Sequence, residues 1–208
     1  MSMHPDDFAL PLERSLERPS KFDALAAMRT ILRYIGEDPL RPGLLETPDR
    51  VLRAWEREWG RGYREDPSKF ARLFEEEQPF YDSMVIVRHI RVRSMCEHHM
   101  APFIGYAHVG YLPKDARHVV GISKLARIVD HFSRRLQVQE RLTYEIVDFI
   151  MDKITDLGAG VIICAKHTCM CTRGVNEAEA ETVTSALKGA FFDNPETRSE
   201  FLRLAHPK

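Results

Sequence analysis

Cysteine and histidine crowd into one stretch of four residues, Cys96-Glu97-His98-His99. The C-x-x-H spacing of Cys96 and His99 lets a thiolate and an imidazole reach one metal ion from a tight loop. A third soft donor stands far along the chain, in His167-Thr168-Cys169-Met170-Cys171. Sulfur and nitrogen donors together select zinc among the common cellular metals. Cys96, His99 and Cys169 alone would leave a coordination place for water. A fourth donor, from Cys171 or His167, would close the site, and residue type leaves both arrangements open. His98 and His167 lie close to the proposed ligands, where a neutral imidazole with a pKa of about 6.5 can carry protons. Zinc lowers the pKa of a bound water to about 7, so the cluster has the makings of a hydrolytic centre. The competing reading, buried filler cysteines and solvated histidines, has to explain why Cys, His and His fall together. The zinc deaminases use similar logic, but their P-C-x-x-C element is missing.

Two further groups of residues have chemistry to offer. Arg50 and Arg53 share a helix face near an N-terminus that favours anions. Lys124 and Arg127 repeat that spacing, with Ser123 beside them, and Arg173-Gly174 follows the third proposed ligand. Together such cations could surround a polyphosphate; singly, each reads as a solvated helix face. In Gln137-Val138-Gln139-Glu140, a carboxylate at the opening of a helix could accept two parallel N–H bonds from the edge of a guanine. The plain alternative for Glu140 is a favourable acid in a first turn.

The elements that must position these groups are legible in the spacing. Leu25, Met28, Leu32 and Ile35 predict a first helix, stopped by Gly36 and Pro39. Thr47 and Pro48 open a second, with a Val51, Trp55 and Trp59 stripe, ended by Gly60 and Gly62. The period then changes. Residues 83–95 and 103–112 read as two strands whose short link predicts a hairpin, followed by a turn at Pro113, Lys114 and Asp115. Leu125, Ile128, Val129, Phe132 and Leu136 mark a helix, and Leu142, Ile146, Phe149 and Ile150 another. Residues 160–168 read as a buried strand, Thr182 to Thr184 as a further one, and Asn194-Pro195 opens a last helix. The order predicts an α+β layer with an antiparallel sheet behind two N-terminal helices. Expected domains are an arm over residues 1–20, a helical region over 21–82 and a catalytic domain over 83–208. Four strands leave free edges that could pair across subunits, which predicts an oligomer.

Composition narrows the class. The chain has 208 residues, 44% of them apolar and 29% charged, which excludes a disordered or collagen-like chain. Thirty basic and 31 acidic residues leave a net charge of −1, so no overall basic excess points to nucleic acid or a membrane surface. The longest apolar run, residues 158–165, is too short to span a bilayer, and the acidic start lacks the basic segment of a signal peptide. Four cysteines are too few for a disulfide framework, and a cytoplasmic protein is expected.

The sequence resembles the zinc-dependent, first type of GTP cyclohydrolase. Six segments carry the resemblance: E-T-P-D-R-V at 46–51, S-M-C-E-H-H-M at 94–100, G-I-S-K-L-A-R-I-V at 121–129, Q-V-Q-E-R-L-T at 137–143, H-T-C-M-C-T-R-G-V at 167–175 and T-V-T-S-A-L-K-G-A-F at 182–191. The resemblance implies the tunnelling fold, a ββααββ unit assembling through its sheets into pentamers, with two pentamers stacked as a decamer and active sites at subunit boundaries. It implies conversion of GTP and water to 7,8-dihydroneopterin triphosphate and formate, the entry step to folate or tetrahydrobiopterin. Its zinc ligands fall on Cys96, His99 and Cys169. His167 would protonate N7 of guanine during opening of the imidazole ring, and His98 and Ser123 would assist the later rearrangement and ring closure. Glu140 matches the guanine anchor with Gln139 beside it. Arg50, Arg53, Lys124, Arg127 and Arg173 match the triphosphate contacts. Two departures stand out: a thiol at Cys171, and Ala180-Glu181 in an acidic segment near the expected phosphates. A non-catalytic zinc-containing purine or pterin binder, and a sister tunnelling-fold enzyme acting on a related pterin or deazapurine, are the alternatives.

Overall fold

The computed structural model describes residues 18–75, 83–114 and 118–205. The expected arm lies outside the described residues as far as residue 17, as does Asp115 of the expected turn. The chain divides into two compact units between Ala54 and Trp55. The expected domain over 83–208 falls within the second unit, which also takes in residues 55–75.

In the first unit, helix α1 runs over Lys21–Tyr34. Ser20 and Asp23 cap it reciprocally: the Asp23 N–H donates to Ser20 Oγ at 3.2 Å, and the Ser20 N–H to Asp23 Oδ2 at 3.1 Å. Helix α2 covers Thr47–Ala54. Lys21 and Asp49 join the two helices by an ion pair of 2.8 Å.

The second unit opens with a π-helical turn at Trp55–Trp59 and two 3-10 turns, Arg61–Tyr63 and Pro67–Phe70. There follow strands β1 (Leu73–Glu75), β2 (Val85–Cys96), β3 (Ala101–Tyr111) and β4 (His118–Val120). Helix α3 (Ile122–Ser133), strand β5 (Leu136–Gln137) and helix α4 (Gln139–Lys153) come next. The chain ends in β6 (Gly158–His167), α5 (Thr168–Cys171), β7 (Thr182–Gly189), α6 (Ala190–Asp193) and α7 (Pro195–Ala205). The main sheet has the order β5-β2-β3-β6-β7 and is antiparallel except where β5 joins β2. Its four long strands and two long helices give the expected ββααββ order. The two-residue β5 was not expected; it is too short for any periodic signal.

Alternation decides the two faces. Val92, Phe103, Ala107 and Val109 pack under α3 and α4 against Leu125, Ile128, Leu142, Ile146 and Ile150. On the reverse face, Ile162 packs with Phe191 and Phe201 beside α7. Strand β6 is therefore covered on both sides, which is why its sequence is an unbroken apolar run rather than an alternating one. Gly160 lies under that second layer, where a Cβ would come within 2.7 Å of the Phe191 ring.

Candidate active site

The hairpin between β2 and β3 places the first cluster at one end of the sheet. Cys96 is the last residue of β2, opposite Ala101, and His98 and His99 occupy the turn between them. Strand β6 runs antiparallel to β3 with Phe103 opposite His167, so β6 ends beside that turn. Helix α5 then carries Cys169 back over it. Antiparallel register thus brings together residues some seventy positions apart in sequence.

The donor atoms of Cys96, His167 and Cys169 all lie within 4.8 Å of one another. Cys96 is buried, and its Sγ is 3.7 Å from His98 Nδ1. Burial, then the neighbouring Cys96 thiol, push the Cys169 thiol above its ordinary value. A cation beside the Cys169 sulfur would reverse that upward shift. The chemistry of this set, two sulfurs and an imidazole nitrogen, fits a metal ion.

The expected trio had His99 where the structure brings His167. His99 lines the same cleft, but its Nε2 accepts a hydrogen bond from Arg173 Nη1 at 2.9 Å. Cys171 stands outside the trio, its Sγ 3.9 Å from the Ala178 carbonyl.

Gln139, at the start of α4, is 1% exposed, and its amide is used entirely within the protein. Its Nε2 faces the carbonyls of Ile163 at 3.1 Å and Thr182 at 2.9 Å, and Thr184 Oγ1 at 3.2 Å. Carbonyls only accept, so the amide nitrogen must point there and Oε1 must face His167 Nε2, 2.8 Å away. An amide oxygen also only accepts, so His167 carries its proton on Nε2 and keeps the Nδ1 lone pair free. The ring stacks flat on Phe103, with centroids 4.5 Å apart. Burial pushes the His167 pKa down, and the Glu140 carboxylate opposes that shift in part. Glu140 itself is exposed at the cleft wall.

A strut that the sequence reading missed holds the turn in place. Arg141 pairs with Glu97, and its Nε donates to Gln137 Oε1 at 3.0 Å. Gln137 in turn donates to Glu145 Oε2 at 2.7 Å and the Phe132 carbonyl at 3.0 Å. The Glu97 N–H donates to the Gln137 carbonyl at 3.0 Å. The only local signal was the i,i+4 spacing of Gln137 and Arg141.

The cleft encloses about 430 Å³ and gathers Cys96, His98, His99, Gln139, Glu140, His167, Cys169 and Arg173. Ser123, Lys124 and Arg127, on α3, are not among its walls. Arg127 instead lines a separate hollow of about 240 Å³ with Arg61, Asp130 and His131. Arg50 and Arg53 belong to the first unit, where they pair with Glu46 at 2.6 Å and with Asp49.

Fold and cleft together define a ββααββ α+β protein with a thiol–imidazole cluster suited to a metal ion. The family model of GTP cyclohydrolase I matches residues 24–206, and the chain belongs to that family. It is 46% identical to the GTP cyclohydrolase 1 of Hyphomonas neptunium over 196 residues, 94% of this chain and 93% of that one. It is 52% identical to that of Chlorobium chlorochromatii over 181 residues, 86% of this chain and 78% of the other. Among solved structures, an apo archaeosine synthase QueF-Like covers 53% of this chain and 97% of its own at 18% identity, with a TM-score of 0.43. The protein is therefore a GTP cyclohydrolase enzyme, which sets aside the non-catalytic binder. No described helix is long and apolar enough to cross a membrane.

Proposed function

We propose that the chain converts GTP and water to 7,8-dihydroneopterin triphosphate and formate with zinc as its cofactor. The observation that carries this reading is one cleft holding two thiols, three histidines and the Glu140 carboxylate. Cys96 and Cys169 would hold the zinc with His99 as the third ligand, as the family resemblance implies. When bound there, zinc supplies Lewis acidity and lowers the pKa of water to about 7.

The remaining work falls to the chain's own side chains. Glu140 accepts the two parallel N–H groups of the guanine edge and so fixes the base. His167, kept neutral by burial and held in one tautomer by Gln139, would accept a proton from the incoming water at its free Nδ1 and pass that proton to N7. His98 moves protons in the later rearrangement and ring closure, assisted by Ser123. Arg50, Arg53, Lys124, Arg127 and Arg173 hold the triphosphate. Lys124 and Arg127 stand away from the cleft of their own chain, which supports a site completed by a neighbouring copy. Accordingly we place the active sites at subunit boundaries of a homodecamer of two pentamers, in the cytoplasm, at the first step of folate or tetrahydrobiopterin synthesis. Gln139, expected against the guanine, serves here as a positioning residue for His167.

The test is incubation of a zinc-quantified preparation with GTP. Formate and, after oxidation, a fluorescent pterin are expected in equal amounts. A zinc-replete sample that consumes GTP without releasing formate would overturn the proposed product.

A further inference from the structure

We propose that the sheet face turned away from α3 and α4 carries a second anion site, built from Arg91, Arg93 and Lys166 around Tyr106, for a phosphorylated small molecule. Val92 is fully buried beneath the helices, so Arg91 and Arg93 on either side of it project from the reverse face. Helix α7 covers that face around Ile162, and the stretch nearer Lys166 is open. There a hollow of about 490 Å³ is lined by Arg91, Arg93, Ile104, Tyr106, Lys166 and Glu181.

Register sets the spacing of the cations. Arg91 lies opposite Tyr106, Arg93 opposite Ile104, and Ile104 opposite Lys166. Alternate residues on one strand are about 7 Å apart, and two strand spacings cover about 10 Å. A chain of two or three phosphates can reach all three.

Charge supplies the second argument. Lys166 is tied to Glu179 at 3.1 Å, but that carboxylate is 93% exposed, so the pair is weak. Among the described residues, neither Arg91 nor Arg93 has an ion-pair or hydrogen-bond partner. Three cations thus face a single lining carboxylate, Glu181. Like charges gathered in a concave site raise the local potential and are relieved by an anion. Guanidinium forks match phosphate oxygens in pairs. Tyr106, 47% exposed between them, offers a flat ring on which an aromatic base can stack.

The probe is inorganic triphosphate, applied to the metal-loaded full chain. Arginines are modified with phenylglyoxal and each peptide is followed by mass spectrometry. Triphosphate should slow modification of Arg91 and Arg93 at least fivefold and leave the exposed Arg57 and Arg72 unchanged. Calorimetry should show two classes of triphosphate site. The Arg91→Gln/Arg93→Gln variant should lose one class, weakened by at least about tenfold for each guanidinium removed, with turnover of saturating GTP retained. Equal modification of Arg91 and Arg93 with and without triphosphate overturns the proposal, as does a variant that keeps both classes. If the variant fails to fold, protection in the unaltered protein decides. Formate release is measured separately, so failure here leaves the proposed reaction standing.

Discussion

Replacing Gln139 by leucine tests the central arrangement. The substitution keeps the volume close and removes every polar contact. Two amide hydrogens now serve three acceptors, and the amide oxygen takes the His167 Nε2 proton. At about 1 kcal/mol for each of three net hydrogen bonds, the variant should lose about 3 kcal/mol of stability, more if the buried carbonyls stay unpaired. The effect on turnover should be larger than on binding. With no acceptor at Nε2, His167 is free to change tautomer and turn from its place over Phe103. Positioned proton transfer is worth roughly 10²–10⁴ in rate, so kcat should fall by about 10²-fold or more. KM for GTP should change less than about threefold, because the base is held by Glu140. Steady-state kinetics supply both constants, and the nitrogen NMR shifts of His167 should show loss of the single Nε2–H tautomer. A raised KM with kcat intact would refute this reasoning and return Gln139 to the guanine contact that the family resemblance suggested.

Other substitutions probe the neighbouring parts. Cys169→Ala should abolish metal binding and turnover together, measured as metal content and formate release on one sample. His99→Ala and His167→Ala should separate the third ligand from the proton carrier: the first should lose zinc, while the second keeps it and loses product. Arg141→Ala should release Glu97 and with it the turn carrying His98 and His99, lowering metal affinity by roughly 10–100-fold in a chelator competition without changing the ligands themselves. His131 supplies a pH prediction. Burial, then the Arg135 charge, hold its pKa below the ordinary value, with Glu65 opposing and Lys69 adding to the shift. The unfolded chain therefore binds the extra proton first, so stability is full above about pH 6.5 and falls as the pH drops toward the folded value. Each unit of separation is worth about 1.4 kcal/mol. Denaturation midpoints at several pH values should fall more steeply for the native chain than for His131→Gln.

Much of the fold could be read locally. The apolar spacing of Leu125, Ile128 and Val129, or of Leu142, Ile146 and Ile150, fixes helices with one buried face, and those residues are buried under the sheet. Residues 83–95 and 160–168 gave the strands to within a few positions. Strands β1, β4 and β5 escaped notice because two or three residues carry no period, and their pairing depends on distant partners. The two separate clusters, Cys96 with His98 and His167 with Cys169, were legible as candidate donors from residue type and local spacing; the β3–β6 register brings them into one cleft.

Sequence alone determined the inventory: the soft donors, the carboxylate at Glu140, the cations and the order of elements, because each is a property of residue type or short-range spacing. Tertiary structure decided who meets whom. His167 stands by the two sulfurs and His99 faces Arg173; Gln139 is spent on His167, and Lys124 and Arg127 lie off the cleft. Those choices follow from the β2–β3 and β3–β6 register, where a shift of one residue sends a side chain to the opposite face, and nothing within a short stretch of sequence records them.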